Sequence, residues 1–182
     1  MTAQPIRTDL PSPGATRTPA IRRAHLLTAL TGLVSLDAVL LLPFLGAGAI
    51  ATGVAALLAC AVIAAMHRAG RADNAEIPVG RLLSCLALAA MLLMLGGEGG
   101  LLYANPDWQV RNAVLGDMTA YAWPFAYRVA GADALLRAPI GMYLVPALLA
   151  KATGGAGIWL LVQNSLAAGL SLAIGSDRKA HV

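Results

Sequence analysis

Long apolar blocks, nearly free of charge, limit this chain more than any other feature. Leu26 to about Leu45 covers roughly the 20 residues needed to cross a hydrocarbon core, and Ala49 to Met66 follows with no charged residue. Leu82 to Gly97 repeats the pattern, and Ile158 to Ile174 does so again near the end. A helix on a soluble surface would interleave polar positions through such blocks, and here they are absent. The whole chain is 58% hydrophobic and 12% charged, where a soluble domain carries about a quarter charged residues. These observations predict an all-α integral membrane protein.

About five transmembrane helices are expected. The Gly46 to Gly48 turn is short and returns the second block antiparallel to the first. Ala138 to Ala150 is shorter than the ~20 residues of a crossing unless Leu135, Leu136 and a snorkelling Lys151 extend it. Orientation follows from Lys and Arg, which concentrate in cytoplasmic loops. Arg17, Arg22 and Arg23 precede the first block, and Arg68, Arg71 and Arg81 lie between the second and third. The N-terminus is therefore expected in the cytoplasm of a multi-pass inner-membrane protein, with Glu98 onward on the outer face. Five crossings would put Arg178 and Lys179 on the wrong side of the rule, so either Ala138 to Ala150 is re-entrant or the chain is part of a larger structure. The expected divisions are a disordered cytoplasmic tail (1–24), three spans (25–97), an outer loop (98–137), two further membrane helices (138–175) and a short tail (176–182).

A net charge of +4 does not indicate nucleic acid, because the cations lie in short clusters beside apolar blocks. Cys60 and Cys85 fall inside spans without metal-ligand spacing, and His25, His67 and His181 have no acidic partner at helical spacing, so no metal ligand is assigned. The sequence contains neither a phosphate-binding glycine loop nor a nucleophile elbow. Asp37 lies mid-span, where a charge costs about 2.5 to 3.5 kcal/mol on insertion scales, and needs a hydrogen-bonding partner or a functional reason.

The outer loop differs from the rest. All four tyrosines and all three tryptophans follow residue 102, and six of these seven lie between Tyr103 and Tyr143. Such side chains prefer the membrane–water interface. Asn105 is a good N-cap, Pro106 suits the first helical position and Asp107 meets the positive end of the helix dipole. The spacing predicts an amphipathic helix between spans three and four, from Pro106 to about Ala122, ended by Pro124. Val110, Val114, Met118 and Tyr121 should share one side of it. Asp107 and Arg111 can pair at i,i+4, either as an ordinary surface ion pair or as groups turned toward a pocket between spans. Glu98, within "GGEGG", is either a solvated loop acid or a carboxylate brought close to the membrane surface.

The ordered set Asp107, Trp108, Asn112, Asp117, Trp123, Pro124, Gly141, Tyr143, Pro146 and Lys151 resembles a pattern in multispanning bacterial proteins related to the GT-C glycosyltransferases. It covers about a quarter of the chain. It departs from that pattern at Val110, where a Lys is expected, and at Arg111, where a His is expected. Family members are much longer, so the resemblance reaches only their N-terminal part. It implies a membrane glycosyltransferase with a polyprenyl-phosphate-sugar donor, in which an outer-loop carboxylate activates an acceptor or binds metal. Asp107, Asp117 and then Glu98 would be catalytic; Arg111, Asn112, Trp108, Trp123 and Arg128 would bind substrate. A cofactor is not indicated, although a divalent metal is compatible with the family. The competing expectation is a small non-catalytic membrane subunit that docks to a partner subunit, and in both readings membrane lipids are partners. A transporter ranks third.

Overall fold

The computed structural model describes residues 18–103, 105–134 and 140–176. Most of the expected N-terminal tail, residues 135–139 of the fourth block and the tail after Ser176 lie outside the described residues. The described chain is mostly helical. Its order is β1 (Ala20–Arg22), α1 (Arg23–Phe44), α2 (Ala49–Ala72), β2 (Glu76–Pro78), α3 (Val79–Leu95), a 3-10 turn (Glu98–Gly100), α4 (Pro106–Ala120), β3 (Tyr127–Val129), β4 (Ala132–Ala134), α5 (Gly141–Thr153) and α6 (Ala156–Ser176). By length and composition α1, α2 and α6 can each cross a membrane, while α3 is a shorter apolar helix. Helices suit this environment because each satisfies its own backbone groups without water.

Two apolar clusters mark the two ends of the bundle. At one end Ile77, fully buried, packs with Leu26, Leu82, Leu170, Ala173 and Ile174. Here β1 pairs antiparallel with β2, Ile21 opposite Ile77, and Arg23 forms an ion pair with Asp73. The strand β1 falls inside the stretch expected to be disordered; pairing with the α2–α3 connection supplies the partners that its own sequence lacks. At the other end Phe44, the last residue of α1, packs with Val114, Leu115, Met118, Tyr143, Leu144, Ala147 and Leu160.

These clusters fix helix directions. Helix α2 returns beside α1 after a turn at Gly46, which has φ +80°. Helices α3 and α6 are antiparallel: Leu82 meets Ala173 and Ile174 at the Ile77 end, and Gly99 meets Gly157 at the other. One turn in from the Ile77 end, a Cβ on Gly169 would stand 2.8 Å from Leu86 Cα, so only glycine permits this approach. Helix α6 thus starts at the Phe44 end and finishes at the Ile77 end.

Helix α5 has 13 residues and covers only the Phe44 half of the bundle. Its N-terminus lies beside the middle of α1 and α6. There Asp37 Oδ1 accepts from the Val145 backbone N–H (3.4 Å) and Asp37 Oδ2 from Gln163 Nε2 (2.8 Å). Pro146 explains the third contact. Lacking an N–H, it leaves Met142 O without its helical donor, and Gln163 Nε2 approaches that oxygen at 3.4 Å. The intramembrane carboxylate also faces the positive end of α5. Asp37 is therefore a structural partner that allows a helix to begin inside the bundle.

On the outside, α2 has an 18-residue apolar window with none of its residues buried, and Ile50 is 86% exposed. That arrangement suits a lipid solvent and would be costly in water.

Candidate functional site

The "GGEGG" stretch after α3 closes into the 3-10 turn, with Gly97, Gly99 and Gly100 at φ +95°, +76° and +65°. A side chain would be strained at each, so the glycines let the backbone double back and carry Glu98 inward. Glu98 is 1% exposed. Its expected alternative as a solvated loop acid is thereby corrected: the turn packs against α6 through Gly99 and Gly157, which carries the Glu98 side chain in from solvent. Asn164 Nδ2 donates to Glu98 Oε1 at 2.6 Å. Burial pushes the Glu98 carboxyl above its ordinary value, opposed by the Asn164 hydrogen bond and the Arg111 charge.

Helix α4 lies across this turn. Asn105 caps it through Oδ1, which accepts from the Trp108 N–H at 2.9 Å, and Pro106 begins it. It ends at Ala120, slightly before the expected stop, because Tyr121 already has extended backbone. The face turned to the bundle also needs correction. Val114, Leu115 and Met118 are buried, whereas Val110 is 65% exposed and Tyr121 is exposed too. The cluster around Phe44 and Tyr143 draws in Leu115, and this rotates the helix so that Arg111 and Asn112 come part-way under.

Arg111 then joins the expected residues together. Its Nε donates to Asp107 Oδ2 at 2.7 Å, and its guanidinium stands 5.1 Å from the Trp108 ring centroid. Trp108 covers Gly97. Asp107 is largely exposed, at the rim, and Arg111 is partly covered. From α5, the fully buried Tyr143 turns its hydroxyl toward the Arg111 guanidinium, which interacts with it without forming a well-aligned hydrogen bond, and Asp107 and Glu98 lie within electrostatic reach. Asn112 Oδ1 is buried without a partner, beside Gly100. Buried polar atoms are nearly always paired, so the open Asn112 Oδ1 and the loosely held Tyr143 hydroxyl mark a polar spot among apolar side chains.

The other expected residues go elsewhere. Asp117 lies ten residues beyond Asp107 on α4, about 15 Å along the axis, so the two cannot act on one atom. Asp117 Oδ2 instead accepts from the Tyr127 hydroxyl at 2.6 Å. Burial first, then this hydrogen bond, pushes the Tyr127 phenol up to about 12. Trp123 packs edge-on to Phe44, donates from Nε1 to Met118 O at 2.8 Å and lies under Lys151 Nζ, 4.7 Å from the ring centroid. Arg128 is on the β3–β4 hairpin, exposed, 3.7 Å from Asp133. Trp123 and Arg128 therefore do not join the Glu98 group.

Sequence reasoning passed over Asn164 and Gln163. The signal was available: two adjacent amides inside an otherwise apolar span, where polar side chains need partners. The hairpin was also unforeseen: its two-residue turn, Ala130–Gly131, has both residues at positive φ, and only Gly131 is of a type that signals such a turn. Among the described residues no group of three or more His, Cys, Asp or Glu could hold a metal. Comparison with family models, curated proteins and solved structures found no match.

Proposed function

We propose that the chain is an integral inner-membrane protein with four crossings, α1, α2, α3 and α6, and a re-entrant α5 entering from the outer side. Supporting this, α6 finishes beside Ile77, at the end where Arg22, Arg23, Arg71 and Arg81 collect. Arg178 and Lys179 follow Ser176 in the sequence, so the conflict with the positive-inside rule disappears. The Phe44 end is then the outer one, and α4 is an amphipathic helix at its surface.

At that surface the function is a GT-C-like transfer from a polyprenyl-phosphate sugar to an acceptor hydroxyl. One observation carries this reading: a buried carboxyl, Glu98, lies within the field of Arg111, with the open Asn112 Oδ1 beside the same turn. Glu98 replaces Asp107 and Asp117 as first candidate for general base. It takes the proton of the acceptor hydroxyl while that oxygen bonds to the sugar's anomeric carbon. The bond from that carbon to the phosphate oxygen breaks, and the lipid phosphate leaves with the electron pair. Arg111, oriented by Asp107, stabilises the departing charge, and Tyr143 and Asn112 hold the reacting groups.

The test uses the purified chain in lipid nanodiscs with a polyprenyl-phosphate sugar and a hydroxyl acceptor, following release of polyprenyl phosphate. Glu98→Gln should lower turnover at least about 100-fold. Full activity in this variant, or none in the parent chain, removes the transferase reading.

The second reading, a non-catalytic membrane subunit, is favoured by α2, whose apolar window is wholly unburied and which has α1 as its principal neighbour. Co-purification of one stoichiometric membrane partner, lost on placing Trp at Gly53, would support it; a monomer active alone would oppose it.

A further inference from the structure

A recess separate from the Glu98 group lies between the end of α4 and the hairpin. Its volume is about 240 Å3, and Asp117, Tyr121, Phe125, Ala126, Tyr127 and Arg128 line it. Three of these are aromatic and follow one another around the wall: Tyr121 and Phe125 centroids are 5.7 Å apart, Phe125 and Tyr127 5.6 Å. Two anchors hold the wall. Lys151 Nζ donates to Tyr121 O at 2.6 Å, and Phe125 stacks edge-on against Phe44 at 5.6 Å. Because Phe44 ends α1, the recess lies level with the end of a membrane-length helix, the depth of lipid headgroups.

We propose that this recess binds the headgroup of an ammonium-bearing zwitterionic phospholipid. The ammonium enters among the three rings, whose faces carry negative potential, and against the Asp117 carboxylate. Tyr127 donates one hydrogen bond to Asp117 and leaves the rest of the carboxylate for the ligand. The Tyr127 phenol, pushed up to about 12, stays neutral and does not compete for the cation. Arg128, 80% exposed and only loosely associated with Asp133, takes the phosphate. A carboxylate and a guanidinium lining one small recess match a zwitterion and disfavour a headgroup that has a phosphate without an amine. The lipid is chosen over a free phosphoamine because the recess stands at the bundle's membrane edge. This inference rests on the membrane reading but not on the transferase reading.

The experiment uses the full chain in detergent, with phosphatidylethanolamine or phosphatidylglycerol of identical acyl chains added, and native mass spectrometry counts the lipid retained. The parent chain should retain phosphatidylethanolamine about tenfold better. Asp117→Asn, which keeps an oxygen for Tyr127, and Tyr121→Leu should each abolish that preference and leave phosphatidylglycerol retention unchanged. Equal retention of both lipids by the parent chain overturns the proposal and needs no variant. So does an undiminished preference in Asp117→Asn, or displacement of the lipid by equimolar free phosphoethanolamine. Turnover is not read, so failure here is distinct from failure of the transferase reading.

Discussion

At Glu98 and Arg111 a single substitution tests both electrostatics and chemistry. A general base must be deprotonated, so activity should rise with pH through the Glu98 pKa, which burial holds above 4.5. Arg111 lowers that pKa, so Arg111→Gln should move the acid limb of the pH–rate profile further upward, besides slowing the reaction. An unchanged limb would mean that Glu98 is not the titrating group. Linkage gives the matching stability effect: the folded state keeps the Glu98 proton to a higher pH than the unfolded state. Stability from this group is therefore full below the unfolded value of 4.5 and declines as pH rises through the raised folded value. Glu98→Gln should flatten that decline in a melting series.

Asp37 makes a different kind of prediction. Asp37→Leu removes the acceptor for Gln163 and Val145, and should cost about 1–3 kcal/mol in a detergent melting measurement. Asp37→Asn keeps an oxygen and should cost less. The sequence announced that Asp37 needs a partner, but its partners are 108 and 126 residues away, beyond what any local pattern can specify.

Elements were legible where their signal is local. Helix α4 was readable at its start because Asn105, Pro106 and Asp107 are neighbours, and the apolar blocks announced α1, α2, α3 and α6. The face that α4 buries was not, because Leu115 goes under in response to Phe44 and Tyr143 from other helices. The close contact of α3 with α6 supplies an element-level prediction. Gly169→Ala would bring a Cβ against Leu86 backbone and should destabilise by roughly 1–3 kcal/mol as the helices separate. Gly175→Ala meets nothing within 4 Å and should leave the melting temperature unchanged or raised. Equal effects from both would contradict the packed pairing.

Topology belongs to the whole molecule. In a chain carrying Cys60→Ala and Cys85→Ala, a membrane-impermeant thiol reagent added to intact cells should label Leu101→Cys. It should label Ser176→Cys only after permeabilisation. Five full crossings would expose both sites to the outside. The blocks in the sequence suggested five crossings, and the short fourth block together with the charges of Arg178 and Lys179 are the sequence signs behind the proposal of four.

The sequence by itself determined that the chain is helical and apolar enough for lipid, where α2 and α4 begin, and that aromatics, carboxylates and cations come together after residue 97. Those properties depend on residue type and near neighbours, which a linear string records. Tertiary structure alone decided that Glu98 is buried beside Asn164, that Asp107 and Asp117 serve different places, and that α5 starts beside Asp37. Each depends on helices distant in sequence meeting at a particular depth and rotation. Those are set by glycine contacts and side-chain packing, such as Gly157 on Gly99 and Gly169 on Leu86, which have no signature in either partner's own segment.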